Sequence, residues 1–148
     1  MDEPRPDLAS LPRVRRLILL EGLDGALRLE RELAALYARL ASSLSSAAVA
    51  DQVAAMAREA QTHGEWVLEL ILALGGTPPA SPPDARELAV SRGELYSRAF
   101  RAERSLLAGY RDLAALLPDP AVLPPLVALI GDEGRHLNRL VDLYRRYS

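Results

Sequence analysis

The chain has 148 residues, enough for one domain with a core of its own. None is cysteine, which excludes disulfides, thiolate metal ligands and iron held by cysteine sulfur within this sequence. A formal net charge of −2 gives no polyelectrolyte character and argues against nucleic acid as the main partner. No apolar run approaches the roughly 18 residues that span a bilayer, so no membrane partner is expected. The first apolar run, Leu17–Leu20, is too short for a secretory signal, and a cytoplasmic location is expected.

The elements read as helix throughout, because Ala, Leu, Arg and Glu dominate and strand-like alternation is absent. After Pro4, Pro6 and Pro12, the first helix is predicted over about 10–42, up to the small polar break Ser42–Ser46. The second covers about 48–74 and stops at Gly75-Gly76-Thr77-Pro78-Pro79-Ala80-Ser81-Pro82-Pro83. The third covers about 91–117: Ser91-Arg92-Gly93-Glu94 has the form of a capping box, although Asp84 is an alternative start. Pro118-Asp119-Pro120 separates it from a fourth helix over about 122–147. The whole chain, 1–148, is one all-α domain.

Each helix carries an apolar seam of the kind that a bundle buries. Leu19, Leu23, Ala26, Leu33 and Leu40 share theirs with Glu30 and Tyr37. Val53, Met56, Ala60, Val67, Leu70 and Leu74 enclose His63. Tyr96, Ala99, Leu106, Leu113 and Leu117 enclose Glu103 and Tyr110. Leu126, Leu129, Leu140 and Leu143 enclose Glu133 and His136.

The two halves also repeat each other at an offset of 73 residues. Glu30, Tyr37 and His63 recur as Glu103, Tyr110 and His136. Around them Glu21, Ala26, Arg31, Leu33, Ala35, Leu40 and Ala41 recur as Glu94, Ala99, Arg104, Leu106, Ala108, Leu113 and Ala114. The repeated unit is a helical hairpin with one carboxylate and one imidazole. Glu30 and His63 fold back about residue 46.5, and Glu103 and His136 about residue 119.5, both in breaks. Constant helical rise therefore brings each Glu level with its His.

A carboxylate in a low-dielectric core costs several kcal/mol unless compensated, and neighbouring carboxylates raise one another's pKa. Divalent cations resolve the conflict, and carboxylate oxygen with imidazole nitrogen suits iron or manganese. A single inward His is ordinarily a hydrogen-bonded core residue, and a single inward Glu pairs with Arg. Five such groups at one level, related by a repeat, point to metal, with a purely polar network as the competing reading. Tyr37 and Tyr110 are either core fillers with a wet hydroxyl or part of the site.

Over about residues 15–147 the chain resembles the ferritin-like superfamily, in particular its rubrerythrin and bacterioferritin branch. The resemblance rests on Glu30-x6-Tyr37, Glu103-x6-Tyr110 and Glu133-Gly134-Arg135-His136, with Leu70–Pro78 similar to the end of a rubrerythrin-type second helix. The resemblance implies a four-helix bundle wound up-down-down-up, with a crossover between helices two and three. That crossover must climb about 35 Å, which residues 75–90 can span when extended; a third helix starting at Asp84 would favour up-down-up-down winding.

The resemblance further implies two iron ions, manganese being possible, with Glu30, Glu103 and Glu133 as oxygen ligands and His63 and His136 as nitrogen ligands. Tyr37 and Tyr110 would be donors that orient the carboxylates. The second helix departs from the pattern: Ala60 stands where a bridging Glu is expected, and Glu59 is one residue off the seam. The first half would then use Glu133 as its bridge, recruit Glu59, take solvent, or lose its ion.

The activity implied is oxidation of ferrous iron or reduction of peroxide, with dioxygen or hydrogen peroxide as partner. A peroxidase would need an external electron donor, and a homodimer or higher oligomer is expected. The alternative is a non-catalytic bundle with a decayed or single-metal site, acting in protein interaction or iron sequestration.

Overall fold

Four helices form: α1 (Arg13–Ser43), α2 (Ala47–Ala73), α3 (Arg92–Leu116) and α4 (Leu123–Tyr147). The computed structural model describes residues 11–81, 90–116, 120 and 122–148. Several expectations fall outside the described residues: Pro4 and Pro6, the start of the first helix at residue 10, the alternative start at Asp84, Leu117, and Pro118 and Asp119. Among the described residues no helix is long and apolar enough to cross a membrane.

Local chemistry sets the helix ends. The Ser46 side chain caps α2 by accepting from the Val49 N–H at 3.4 Å. At its other end Gly75 takes φ +77°, a left-handed value that suits glycine, and Gly76 N–H returns to Ile71 O at 2.9 Å. A Cβ on Gly76 would stand 2.5 Å from Leu20 Cδ2, so the pair also lets the turn lie against α1. Ser91 caps α3 by accepting from the Glu94 N–H at 3.2 Å. The second arm of the expected capping box is used differently, because Arg98 Nε donates to the Glu94 carboxylate at 3.1 Å. Proline at the first positions of α4 lacks an N–H where none is needed, and Arg145 and Arg146 sit favourably at its negative end.

Helix α1 packs against both α2 and α3, and α3 packs against α4. The ends that meet give the directions. Arg15, at the start of α1, donates through Nε to Leu116 O at the end of α3, at 3.1 Å. Arg92, at the start of α3, donates to Ser43 O at the end of α1 and to Ser43 Oγ at 3.3 Å. Each of these arginines thus satisfies carbonyl oxygen that the other helix leaves unpaired at its end. Helices α1 and α3 are therefore antiparallel.

Leu20 lies level with Gly76, which makes α2 antiparallel to α1. Tyr96 OH donates to Leu143 O at 3.4 Å, which makes α4 antiparallel to α3. The winding is up-down-down-up. Helices α2 and α3 run the same way, so the chain joining them passes from one end of the bundle to the other; residues 82–89 of that link lie outside the described residues. Leucines from α1, α3 and α4, with Val53, Val67 and Ile71 from α2, fill the core, and a polar layer interrupts it at mid-height.

Candidate metal centre

All five inward polar groups predicted from the seams occupy that layer. Glu30 on α1, Glu103 on α3 and Glu133 on α4 are 0% exposed; His63 on α2 is 7% and His136 on α4 is 4% exposed. Glu133 and His136, three residues apart, share one face of α4. His63 Nδ1 donates to Glu133 Oε1 at 2.8 Å and stands 3.4 Å from Glu30 Oε1. His136 Nδ1 donates to Glu103 Oε1 at 3.1 Å and stands 3.6 Å from Glu133 Oε2. The two imidazole centroids are 6.0 Å apart.

The hydroxyls cross between the halves. Tyr110 OH donates to Glu30 Oε1 at 2.8 Å, and Tyr37 OH makes the matching bond to Glu103 Oε1. Each tyrosine thus fixes the carboxylate of the other hairpin, which the antiparallel packing of α1 on α3 makes possible. The outer imidazole nitrogens cross as well. His63 Nε2 meets Asp132 Oδ2 at 2.9 Å, and His136 Nε2 meets Glu59 Oε2 at 2.7 Å. Glu59 and Asp132 are themselves 73 residues apart, so these pairs obey the repeat too.

Both nitrogens of each ring face carboxylate oxygen, a geometry that favours the doubly protonated imidazolium. Burial pushes the His63 pKa down, but hydrogen bonds to Glu133 and Glu30 outweigh it and hold the ring up at about 10. In the same way, burial lowers His136 while hydrogen bonds to Glu103 and Glu133 raise it to about 11. Burial lifts the Glu30 carboxyl to about 7 and Glu103 to about 8, against the opposing pull of His63 and His136. Glu133 is buried as well, yet hydrogen bonds from His136 and His63 hold it well below the ordinary carboxylate range. Burial and the nearby carboxylates keep both tyrosines protonated. Without a cation, the cluster is held together by protons.

Among the described residues three buried side-chain oxygens remain without a partner: Oε2 of Glu30, of Glu103 and of Glu133. A buried acceptor left unsatisfied costs about 1–3 kcal/mol, more when charged, and native cores rarely tolerate it. Two groups of three donors could each hold an ion, Glu30 with His63 and Glu133, and Glu103 with Glu133 and His136, the donor atoms of each lying within 4.8 Å of one another. Glu133 belongs to both. The donor set of carboxylate oxygen and imidazole nitrogen therefore fits a pair of divalent ions of the iron or manganese type. With an ion on Nδ1, the proton on Nε2 stays with Asp132 or Glu59, which fixes the tautomer.

One sequence expectation changes here. Glu59 is absent from both groups; half-exposed on the outer side of the layer, it meets His136 of the second hairpin rather than joining His63. The cause is its offset from the seam, which turns it toward α4. Its counterpart Asp132 was not singled out from the sequence, although the repeat maps Glu59 onto it and it directly precedes Glu133. Ala60, the counterpart of Glu133, is 1% exposed, so the centre has one shared carboxylate instead of two.

No protein-family model matches the chain, and no curated protein matches it. Among solved structures it is similar to the crystal structure of ferritin-like, diiron-carboxylate proteins from Bacillus anthracis str. Ames, at 23% sequence identity and a TM-score of 0.76. That match covers 90% of this chain and 99% of the other. In helix order and winding, the chain has the fold of a ferritin-like four-helix bundle.

Proposed function

We propose that this bundle is a di-iron carboxylate protein that oxidises ferrous iron or reduces peroxide. The observation that carries the reading is the trio of buried carboxylates, each with one unpartnered oxygen, grouped so that Glu133 serves two Glu–His sets. Glu30 and His63 would hold one ion, Glu103 and His136 the other, with Glu133 between them. The solved structure it is similar to is described as a diiron-carboxylate protein, which agrees with this reading. Iron bound there would supply the one-electron chemistry toward dioxygen or hydrogen peroxide.

The chain's own part is positioning and proton control. Tyr37 and Tyr110 donate to Glu103 and Glu30 and hold one oxygen of each, leaving the other for a cation. Asp132 and Glu59 hold the outer nitrogens, so Nδ1 of both rings stays aimed inward. The leucine-rich core around the layer limits the access of water to it. As the sequence has no cysteine, electrons for peroxide reduction would come from an external donor.

The test is metal content after anaerobic ferrous loading, with the near-ultraviolet absorbance that follows exposure to oxidant. Two irons per chain and a new absorption band support the reading. A protein that retains no iron would leave a scaffold. The single-metal alternative has one observation in its favour, Ala60, and predicts a ratio of one with the first half empty.

A further inference from the structure

The sharpest break in the repeat lies beside the centre, between α1 and α2. At the positions where the second hairpin has Leu107, Arg111, Glu133 and Leu137, the first has Ala34, Ala38, Ala60 and Gly64. These truncations line a groove of about 610 Å³ between the two helices, open to solvent past Ala38, Gln61 and Glu65. Small-molecule sites typically enclose about 300–1,000 Å³. Leucines 27 and 68 and the alanines make its walls apolar, while Arg31, Gln61 and Glu65 supply its polar atoms.

Its floor, at Ala60 and Gly64, backs onto the centre. A Cβ on Gly64 would stand 3.6 Å from Glu30 Cβ, and Glu30 Oε2 is one of the unpartnered buried oxygens. Charge identifies what belongs there. Within the buried layer two divalent ions and the three ligand carboxylates leave one positive charge, since Asp132 and Glu59 lie on its more exposed outer side, and a monoanion neutralises it. A groove this large and apolar is oversized for an inorganic anion but suits an organic one.

We propose that the groove binds a small organic monocarboxylic acid, its carboxylate taking the place a Glu at position 60 would fill and its apolar body lying along Ala34 and Leu68. The site thereby admits an outside carboxylate to complete the ligand set that the repeat leaves one short. This rests on the two-ion reading, so the experiment measures metal content and ligand binding separately.

Cobalt(II) is loaded into the full chain, its content is measured, and hexanoate is titrated while the visible absorption of the cobalt is followed. The expected result is two cobalt ions per chain and a saturable spectral change. Ala60→Glu should keep both ions and lose the change, because the protein's own carboxylate now fills the place. Ala34→Leu, which copies Leu107 of the second hairpin and lies outside the ligand set, should keep both ions and weaken hexanoate by at least about tenfold, a shift of about 1.4 kcal/mol. Two bound ions with no saturable change overturn the proposal, as does an equal response from all three proteins. Failure of the unaltered chain to take up cobalt overturns the two-ion reading and the proposal with it, and metal content tells these failures apart.

Discussion

The first hairpin, α1 with α2, brings one carboxylate and one imidazole to the centre, whereas the second, α3 with α4, brings two carboxylates and one imidazole. Around those groups the halves match closely: tyrosine crosses to glutamate in both directions, and an outer acid crosses to imidazole in both directions. The halves differ at the shared carboxylate, Glu133 against Ala60, and in the bulk beside it, where Leu107, Arg111 and Leu137 correspond to Ala34, Ala38 and Gly64. Symmetry is kept in the bonds that hold the terminal Glu and His groups and given up at the carboxylate between them.

The largest effect is expected from Glu133, which both halves share. Glu133→Ala should bring the metal-to-protein ratio close to zero, whereas Glu30→Ala or His63→Ala should remove only the ion of the first half. Elemental analysis after loading decides the matter; equal losses in all three would show that the halves do not bind separately.

Asp132 and Glu59 probe the outer contacts of the two halves. Asp132→Asn leaves a side chain of the same shape but weakens the hold on His63, and such outer partners typically contribute about 10–100-fold to metal affinity. Glu59→Gln should cost less, since Glu59 is 51% exposed and Asp132 27%. Competition with a chelator measures both, and a larger loss from Glu59→Gln would contradict the order.

Smaller changes are expected from the tyrosines. Tyr37→Phe and Tyr110→Phe each strip a donor from a buried carboxylate and should cost about 1–3 kcal/mol of metal-free stability in urea unfolding. The two costs should be alike if the crosswise bonds are equivalent.

Proton linkage gives the last test. Glu30 and Glu103 are raised from 4.5 to about 7 and about 8, and His63 and His136 from 6.5 to about 10 and about 11. In every case the folded protein binds more protons than the unfolded chain between the two values, so stability falls as pH rises. The histidine contribution is complete below about pH 6.5 and is lost as pH climbs through about 10 and about 11; the glutamate contribution fades from about 4.5 to about 8. The metal-free melting temperature should thus decline from mildly acidic to alkaline pH. Metal binding should release protons over the same range, so the stabilisation that metal adds grows as the metal-free protein weakens.

The four helices were legible in the chain itself, to within a few residues at their ends, because apolar periodicity and Gly–Pro breaks are local signals. So were the five polar residues that face inward, because a residue's place on a helical seam follows from spacing alone. The fold-back of each hairpin could be read for the same reason. That each tyrosine and each outer acid serves the opposite half emerged only from the packed bundle, since those contacts depend on how α1 meets α3 and α2 meets α4. Glu59 shows the limit: its spacing placed it beside His63, but the neighbouring helix drew it to His136. The groove was equally out of reach, because a small side chain becomes open space only where no other helix closes over it.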